Sequence, residues 1–338
     1  MQARETQTMY LSEQLLNPDE SRLRLCSQFG VQHVLVDNRA PGELSRQVRW
    51  ETPDLVSYRH WIESFDLKLD MLTLGVGSVL MDFLNDLPAA RRQRDLLADN
   101  IRRASDAGIE CLRYQVQMAG TPRMSHRPGR GGVRYPSYRH SDGMSDDPRE
   151  TQPVSAKAAW SAIEFLVESL VGAADEAGVR LACLPQNPSF PAGGLHGVEH
   201  VTGSVEGMRK FLELSPSRHH GLDFCQGAVS GMFTEPAKAL IPVIEEFAST
   251  GRIFVVRFNN IRGGYLDFQE VFPDEGDVDM FQALKAYQRG GYAGPVCAQP
   301  SPVSELDPDH QRFDAFALGY TRGLLQAAGV WTAARPRA

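Results

Sequence analysis

Ala177-Gly178-Val179-Arg180-Leu181-Ala182-Cys183-Leu184 is the stretch that decides the fold. Before it, from Trp160 to Ala174, apolar residues recur at Ile163, Leu166, Leu170 and Ala174, while Glu164 and Glu168 fall on other faces, which predicts a helix. Gly closes a helix in the left-handed conformation, so Gly178 reads as the helix end. The nearly unbroken apolar run that follows suits a strand buried on both faces, as in a parallel sheet. The same junction stands at Phe29-Gly30-Val31 and Ala107-Gly108-Ile109, with looser versions at His220-Gly221-Leu222, Thr250-Gly251-Arg252 and Ala293-Gly294-Pro295. Pro236 to Ala248 and Val278 to Gly290 supply further helical periods. With Leu72-Thr73-Leu74 the pattern gives seven strands, and a weak eighth is expected near Tyr265-Leu266.

Strand and helix alternate along the whole chain, which is the α/β pattern. An unbroken run of such units, without Gly-x-Gly-x-x-Gly after a first strand, favours a closed TIM (β/α)8 barrel over an open doubly wound sheet. The expected organisation is one barrel domain over residues 1–330 and a short tail, 331–338. One segment breaks the rhythm. Ala119 to Val154 has no periodicity but carries six Arg, two His and Gly129-Arg130-Gly131-Gly132. It follows the third strand of that count, so it should lie over the C-terminal mouth and help hold an anion through Arg130 and backbone amides.

Composition sets outer limits. The 338 residues are 42% hydrophobic, ample for a core, and carry 42 acidic against 35 basic side chains, a net charge of −7. That balance argues against a nucleic-acid binder. No run approaches the ~20 apolar residues of a membrane span, and Met1 to Thr6 opens no signal-peptide core. The five cysteines form no Cys-x-x-Cys pair and read as reduced thiols. A cytoplasmic protein, assembled as a homo-oligomer, is expected.

In a barrel the residues ending the strands converge. Here they are Gln115 to Gln117, Leu184-Pro185-Gln186-Asn187-Pro188, Cys225-Gln226-Gly227, Arg257-Phe258-Asn259-Asn260 and Gln299. The set is polar yet short of metal donors, since only Cys225 is one. A nucleophilic Cys225 would need a depressed pKa, which Arg257 would favour, and the competing reading is an inherited buried cysteine. Cys183 and Cys297 read as core. His196, His200, His219 and His220 tempt a metal reading with Cys225, but surface histidines are the plainer account. Asp279 is placed to favour the start of the helix that follows it. Arg91, Arg92 and Arg94 read as a solvated helix face.

Gly221-Leu222-Asp223-Phe224-Cys225-Gln226-Gly227, Arg257-Phe258-Asn259-Asn260-Ile261 with Glu270, and Asp274-Glu275-Gly276-Asp277-Val278-Asp279-Met280 together resemble the mannonate dehydratase family. So do Gly129-Arg130-Gly131-Gly132 and Phe316-Ala317-Leu318-Gly319-Tyr320. The resemblance runs from about Leu23 to Leu325. It implies a TIM barrel that removes water from a sugar acid with a divalent metal, typically manganese, giving a 2-keto-3-deoxy acid. The departures concern that metal. The family's His-Pro-Asp-Asp-Pro-Pro is similar to Leu184-Pro185-Gln186-Asn187-Pro188-Ser189, so Leu184 stands for a His ligand. Its His-Phe-Arg-Asn falls on Arg257-Phe258-Asn259-Asn260, and its last Asp ligand on Gln299. A Pro-Gly-Tyr-Thr segment is replaced by acidic residues around Asp307 to His310.

The resemblance with these departures implies a divergent lyase or isomerase acting on a small anionic sugar acid without the metal. In that reading Arg257 restores a cation where the metal was lost, and its fork grips the substrate carboxylate. Gln186, Asn187, Asn260 and Gln299 read hydroxyls, and acid/base work falls to Cys225, Glu270 or His310. The alternatives are a manganese-dependent mannonate dehydratase with relocated ligands, and a non-catalytic protein that binds a sugar acid.

Overall fold

The computed structural model describes residues 8–37, 49–119, 122, 125–142, 152–299 and 302–331. The strands, in chain order, are β1 (Tyr10–Leu16), β2 (His33–Asp37), β3 (Lys68–Thr73), β4 (Cys111–Gln115), β5 (Ser125–Pro128), β6 (Arg134–Arg139), β7 (Arg180–Leu184), β8 (His220–Cys225), β9 (Ile253–Phe258), β10 (Asn260–Gly264), β11 (Asp267–Val271) and β12 (Pro295–Ala298). Eight of them close a parallel barrel in the order β1-β12-β9-β8-β7-β4-β3-β2, with β1 pairing β2. Trp331, the first residue of the expected tail, bridges to Met9; residues 332–338 lie outside the described residues.

The helices form where the pattern placed them. Trp160 to Ala174 lies inside Ala156–Ala177, whose N-cap Ser155 accepts from the amide of Ala158 and whose end is Gly178 at φ 71°. Gly30, Gly108 and Gly251 take the same left-handed conformation. Gly221 does not. It lies inside β8, where a Cβ would meet the Arg252 carbonyl oxygen at 2.3 Å, so close backbone approach selects glycine there. The outward side chains of the strands, among them Leu11, Leu69, Leu112, Leu181, Phe224 and Val296, pack with the helices into one large core. A separate apolar cluster fills the lower barrel interior with Leu35, Met71, Cys111, Ala182, Phe254, Val255 and Cys297.

Two expectations are corrected. The eighth barrel strand is β1, not Tyr265-Leu266, which lies in the turn of the β10–β11 hairpin with Leu266 at φ 66°. Sequence periodicity misses β1 because buried Ser12 and Glu13, followed by Gln14, interrupt its apolar run. The segment 119–154 is not an irregular loop where it is described. β5 and β6 form a hairpin that joins β10 and β11 in an antiparallel sheet, order β10-β11-β6-β5. Because β10 begins two residues after β9 ends, this sheet sits on the C-terminal side of the barrel.

Candidate active site

A cavity of about 760 Å³ opens at the C-terminal ends of the barrel strands, where barrel enzymes place their chemistry. Cys225, Arg257, Asn187, Gln299, Glu270 and His310 all line it. β11 brings Glu270, and the residue preceding the helix Gln311–Ala327 is His310, at φ 57°.

The centre of the site is a hydrogen-bonded chain that crosses the barrel interior. Asp37 on β2 meets Arg113 on β4 at 3.3 Å, and Arg113 Nε donates to Asp223 on β8 at 2.9 Å. Asp223 then receives Arg257 of β9, whose Nε is 2.8 Å from each carboxylate oxygen. Arg257 Nη1 donates to Gln14 Oε1 on β1 at 2.5 Å, and that oxygen also accepts from Gln299 Nε2 at 2.7 Å. Asp223 has no solvent exposure and Arg257 keeps 7%. Burial works to lower the Arg257 pKa, but the charge and hydrogen bond of Asp223 raise it above the usual arginine value. Arg113 is lowered by burial and by the like charge of Arg257, in spite of Asp223 and Asp37.

This chain corrects the charge argument made from sequence. Arg257 does not add an uncompensated cation, because Asp223 matches it and the four ionic groups carry two charges of each sign. What Arg257 offers a ligand is direction. Its Nη2 lies 2.7 Å from Asp223 Oδ2 but makes no hydrogen bond, and Asp223 and Gln14 do not consume all five of its N–H donors. Asn187 adds a buried Oδ1 that likewise has no partner.

Cys225 lies in a small apolar cluster with Leu184 and Ala228, and its Sγ is 3.8 Å from Asn259 Oδ1. Burial raises its thiol pKa and outweighs the opposite pull of Arg257, so the activated thiolate expected of a nucleophile is not what this environment makes. Asn259 also accepts the Gly227 amide at 2.8 Å; a Cβ on Gly227 would meet the Asn259 side chain at 2.5 Å.

Three expected site residues are elsewhere. Gln186 is buried with its Oε1 accepting the amide and hydroxyl of Thr202 at 2.9 and 3.1 Å. Asn260 clamps the β9–β10 junction to the loop after β11, donating to the carbonyls of Pro273 and Val278 at 3.1 and 2.9 Å. Gln186 is tied to Thr202 and Asn260 to backbone carbonyls, and neither lines the cavity. Arg130 is also absent from the lining. It makes a bidentate pair with Asp274 at 2.6 and 2.9 Å and lies 4.5 Å over the Phe272 ring. Arg127 and Arg139 similarly end on Asp267 at 2.6 and 3.0 Å. Arg127, Arg130 and Arg139 thus latch the hairpin to the protein, and the Arg130 expected to hold an anion is engaged by Asp274. The histidines are not all superficial either: His200 and His220 are buried, against the carbonyls of Pro188 and Phe211. Asp279 caps its helix, accepting the Gln282 amide at 3.0 Å.

The residues at the resembled ligand positions do not fit a divalent metal. They are a hydrocarbon, a buried protonated thiol, a carboxamide and a guanidinium, which has no lone pair to give and a charge that repels a cation. Among the described residues no group of three or more His, Cys, Asp or Glu is arranged to hold a metal ion.

The family model for D-mannonate dehydratase (UxuA) matches residues 144–336. The chain belongs to the D-mannonate dehydratase family. Mannonate dehydratase 2 of Halalkalibacterium halodurans is 25% identical over 259 residues, 75% of this chain and 67% of the relative. Mannonate dehydratase of Streptococcus suis is 22% identical over 295 residues, 78% of this chain and 75% of the relative. The crystal structure of mannonate dehydratase from Streptococcus suis serotype 2 superposes with a TM-score of 0.78 at 19% identity, covering 95% of this chain and 93% of that one. At that identity the likeness shows the fold, a TIM barrel. Among the described residues no helix is long and apolar enough to cross a membrane.

Gln14, Glu13, Arg22, Asp223 and Asp314 are the site residues that sequence reasoning missed. Asp223 lies between Leu222 and Phe224, next but one to Cys225, and an acid inside this buried strand is the available signal. The others sit on β1 and the two helices beside it, where periodicity found no strand to organise them.

Proposed function

We propose that the protein is a lyase of the mannonate dehydratase type, removing water from a small polyhydroxylated carboxylic acid in the mouth cavity without a divalent metal at the family's position. The observation that carries this reading is Arg257 at a resembled ligand position, fixed by Asp223 and Gln14 instead of opposing a bound cation. A decayed site would have no reason to hold a guanidinium between two partners, with Gln299 joined to the same Gln14 oxygen. The rim adds Asn187, Asn259 and Gln311, amides that both donate to and accept from hydroxyls. Arg257 and Gln299 orient the carboxylate end, the amides orient the hydroxyls, and Glu270 or His310, both in the lining, takes the proton beside the carboxylate.

The test is turnover of D-mannonate and other aldonic acids to a 2-keto-3-deoxy acid, with and without a chelator, beside elemental analysis of the purified protein. The expected result is product formation that a chelator does not abolish and no stoichiometric manganese. One transition metal per chain with Cys225 among its ligands would establish the manganese-dependent alternative. Binding of aldonic acids without turnover would establish a sugar-acid-binding protein.

A further inference from the structure

We propose that Glu13 and Asp314 hold one proton between them and form the acid of this cavity, giving that proton to the hydroxyl that departs as water. Two carboxyl groups converge on a single guanidinium: Arg22 Nη2 lies 3.3 Å from Glu13 Oε1 and donates to Asp314 Oδ2 as well. The side chains of Glu13 and Asp314 retain 4% and 8% exposure. Were both ionised, two negative charges would face one positive charge out of water. The second oxygen of Glu13, Oε2, is buried with no hydrogen-bond partner. An ionised oxygen there loses its hydration and gains nothing in return. One proton on the pair removes the excess charge and leaves Arg22 matched one to one.

Of the charged groups facing the pair, Arg22 and His310 pull toward ionisation, and burial outweighs them. Helix Glu20–Gln28 presents Arg22 and Cys26, β12 presents Cys297, and the C-terminal helix with its lead-in presents Asp307, His310 and Asp314. Burial raises the Cys26 thiol to about 12 and raises Cys297 further, so neither thiol competes for ionisation. Asp307 is occupied by the amides of Arg312 and Phe313, at 3.0 Å each. Burial first, and then the Asp314 charge, push the Glu13 carboxyl well above its ordinary range in spite of Arg22; burial likewise raises Asp314. Glu13, Arg22 and Asp314 all line the cavity.

The destination of the proton rests on the lyase reading. In the dehydration, the C–H bond beside the carboxylate breaks and its proton passes to Glu270 or His310. The C–O bond at the next carbon breaks with its electron pair, and the leaving oxygen takes the proton of the Glu13–Asp314 pair. The enol formed becomes the 2-keto acid by taking up a proton at carbon and releasing its hydroxyl proton, and solvent exchange restores both groups, so water is the only other product.

Two measurements decide it. Infrared difference spectroscopy at neutral pH should show a protonated-carboxyl carbonyl band in the wild type that is missing in Glu13→Gln, with both proteins folded by circular dichroism. No such band, or a band unchanged in Glu13→Gln and in Asp314→Asn, overturns the shared proton. With D-mannonate as substrate, Glu13→Gln should lower kcat by about 10²–10⁴-fold, the usual share of one acid or base, while KM moves little. Undiminished kcat overturns the acid role. If the wild type shows the band but dehydrates neither D-mannonate nor any other aldonic acid tried, the lyase reading and the assigned donation fail together, and the proton-sharing pair alone stands.

Discussion

Arg257 and Asp223 stand on neighbouring strands, with the guanidinium Nε 2.8 Å from both oxygens of a carboxylate that has no exposure to solvent. The same carboxylate also receives Arg113 at 2.9 Å. Removing one partner of a buried pair typically costs about 3–5 kcal/mol, because the other charge stays buried and unmatched. Asp223→Asn strands two guanidiniums together, so its loss should reach the upper end of that range, whereas Arg257→Leu leaves Asp223 with Arg113 and should cost less. Urea denaturation of the two variants checks the order, and equal or reversed losses would show that Arg113 does not share the charge.

The thiols should be inert while the protein is folded. All five cysteines are buried, and burial raises Cys225 and takes Cys111 to about 12. Alkylation follows the thiolate, so iodoacetamide near pH 8 should leave the native chain unlabelled over a time in which the urea-unfolded chain takes five labels. Rapid native labelling of Cys225, read by peptide mass spectrometry, would return it to the list of nucleophiles.

Arg130 should matter to the hairpin and little to the whole. Its side chain is 43% exposed, and such surface pairs contribute about 0–1 kcal/mol. It nevertheless ties the hairpin tip to Asp274 and lies over Phe272 and Phe316, the latter on the C-terminal helix. Arg130→Ala should shift global stability by less than about 1 kcal/mol and speed amide hydrogen exchange across residues 125–139. Unchanged exchange there would mean that Arg127 and Arg139 hold the hairpin by themselves.

Glu13→Gln should stabilise the protein increasingly as pH rises. A carboxyl whose folded pKa is raised contributes stability that is complete below its unfolded pKa, about 4.3, and is lost as pH climbs through the folded value. Glutamine has no proton to lose, so the gap between variant and wild type should widen by at most about 1.4 kcal/mol per pH unit and then level off. Stability curves of variant and wild type that stay parallel as pH rises from about 4 would exclude a raised Glu13.

The barrel was legible because its signals are local. Gly30, Gly108, Gly178 and Gly251 each end a helix with positive φ and each precedes a strand. β1 escaped because strand burial here includes polar groups: the partners of Gln14, Arg257 and Gln299, lie far away in sequence, and Glu13 is met by Arg22 on the next helix. The same distance hid the roles of Arg257 and Arg130. Sequence shows that an arginine is present, but not which carboxylate, Asp223 or Asp274, takes it up first. Gln186 and Asn260 were misplaced for a related reason: an amide near a strand end can face the cavity or close a backbone turn, and only the fold decides between Thr202 and a ligand.

The ionic chain through the barrel also bears on how such a protein can change over generations. Its members are coupled, since Asp223 serves two arginines and one oxygen of Gln14 serves both Arg257 and Gln299. Substitutions in one such network do not add independently. Remaking a metal site needs Leu184, Arg257 and Gln299 to be exchanged together, and exchanging Arg257 or Gln299 first strips a partner from Asp223 or Gln14 before any cation is bound. Folding stability therefore opposes a single exchange at Arg257 or Gln299, whatever metals the surroundings supply.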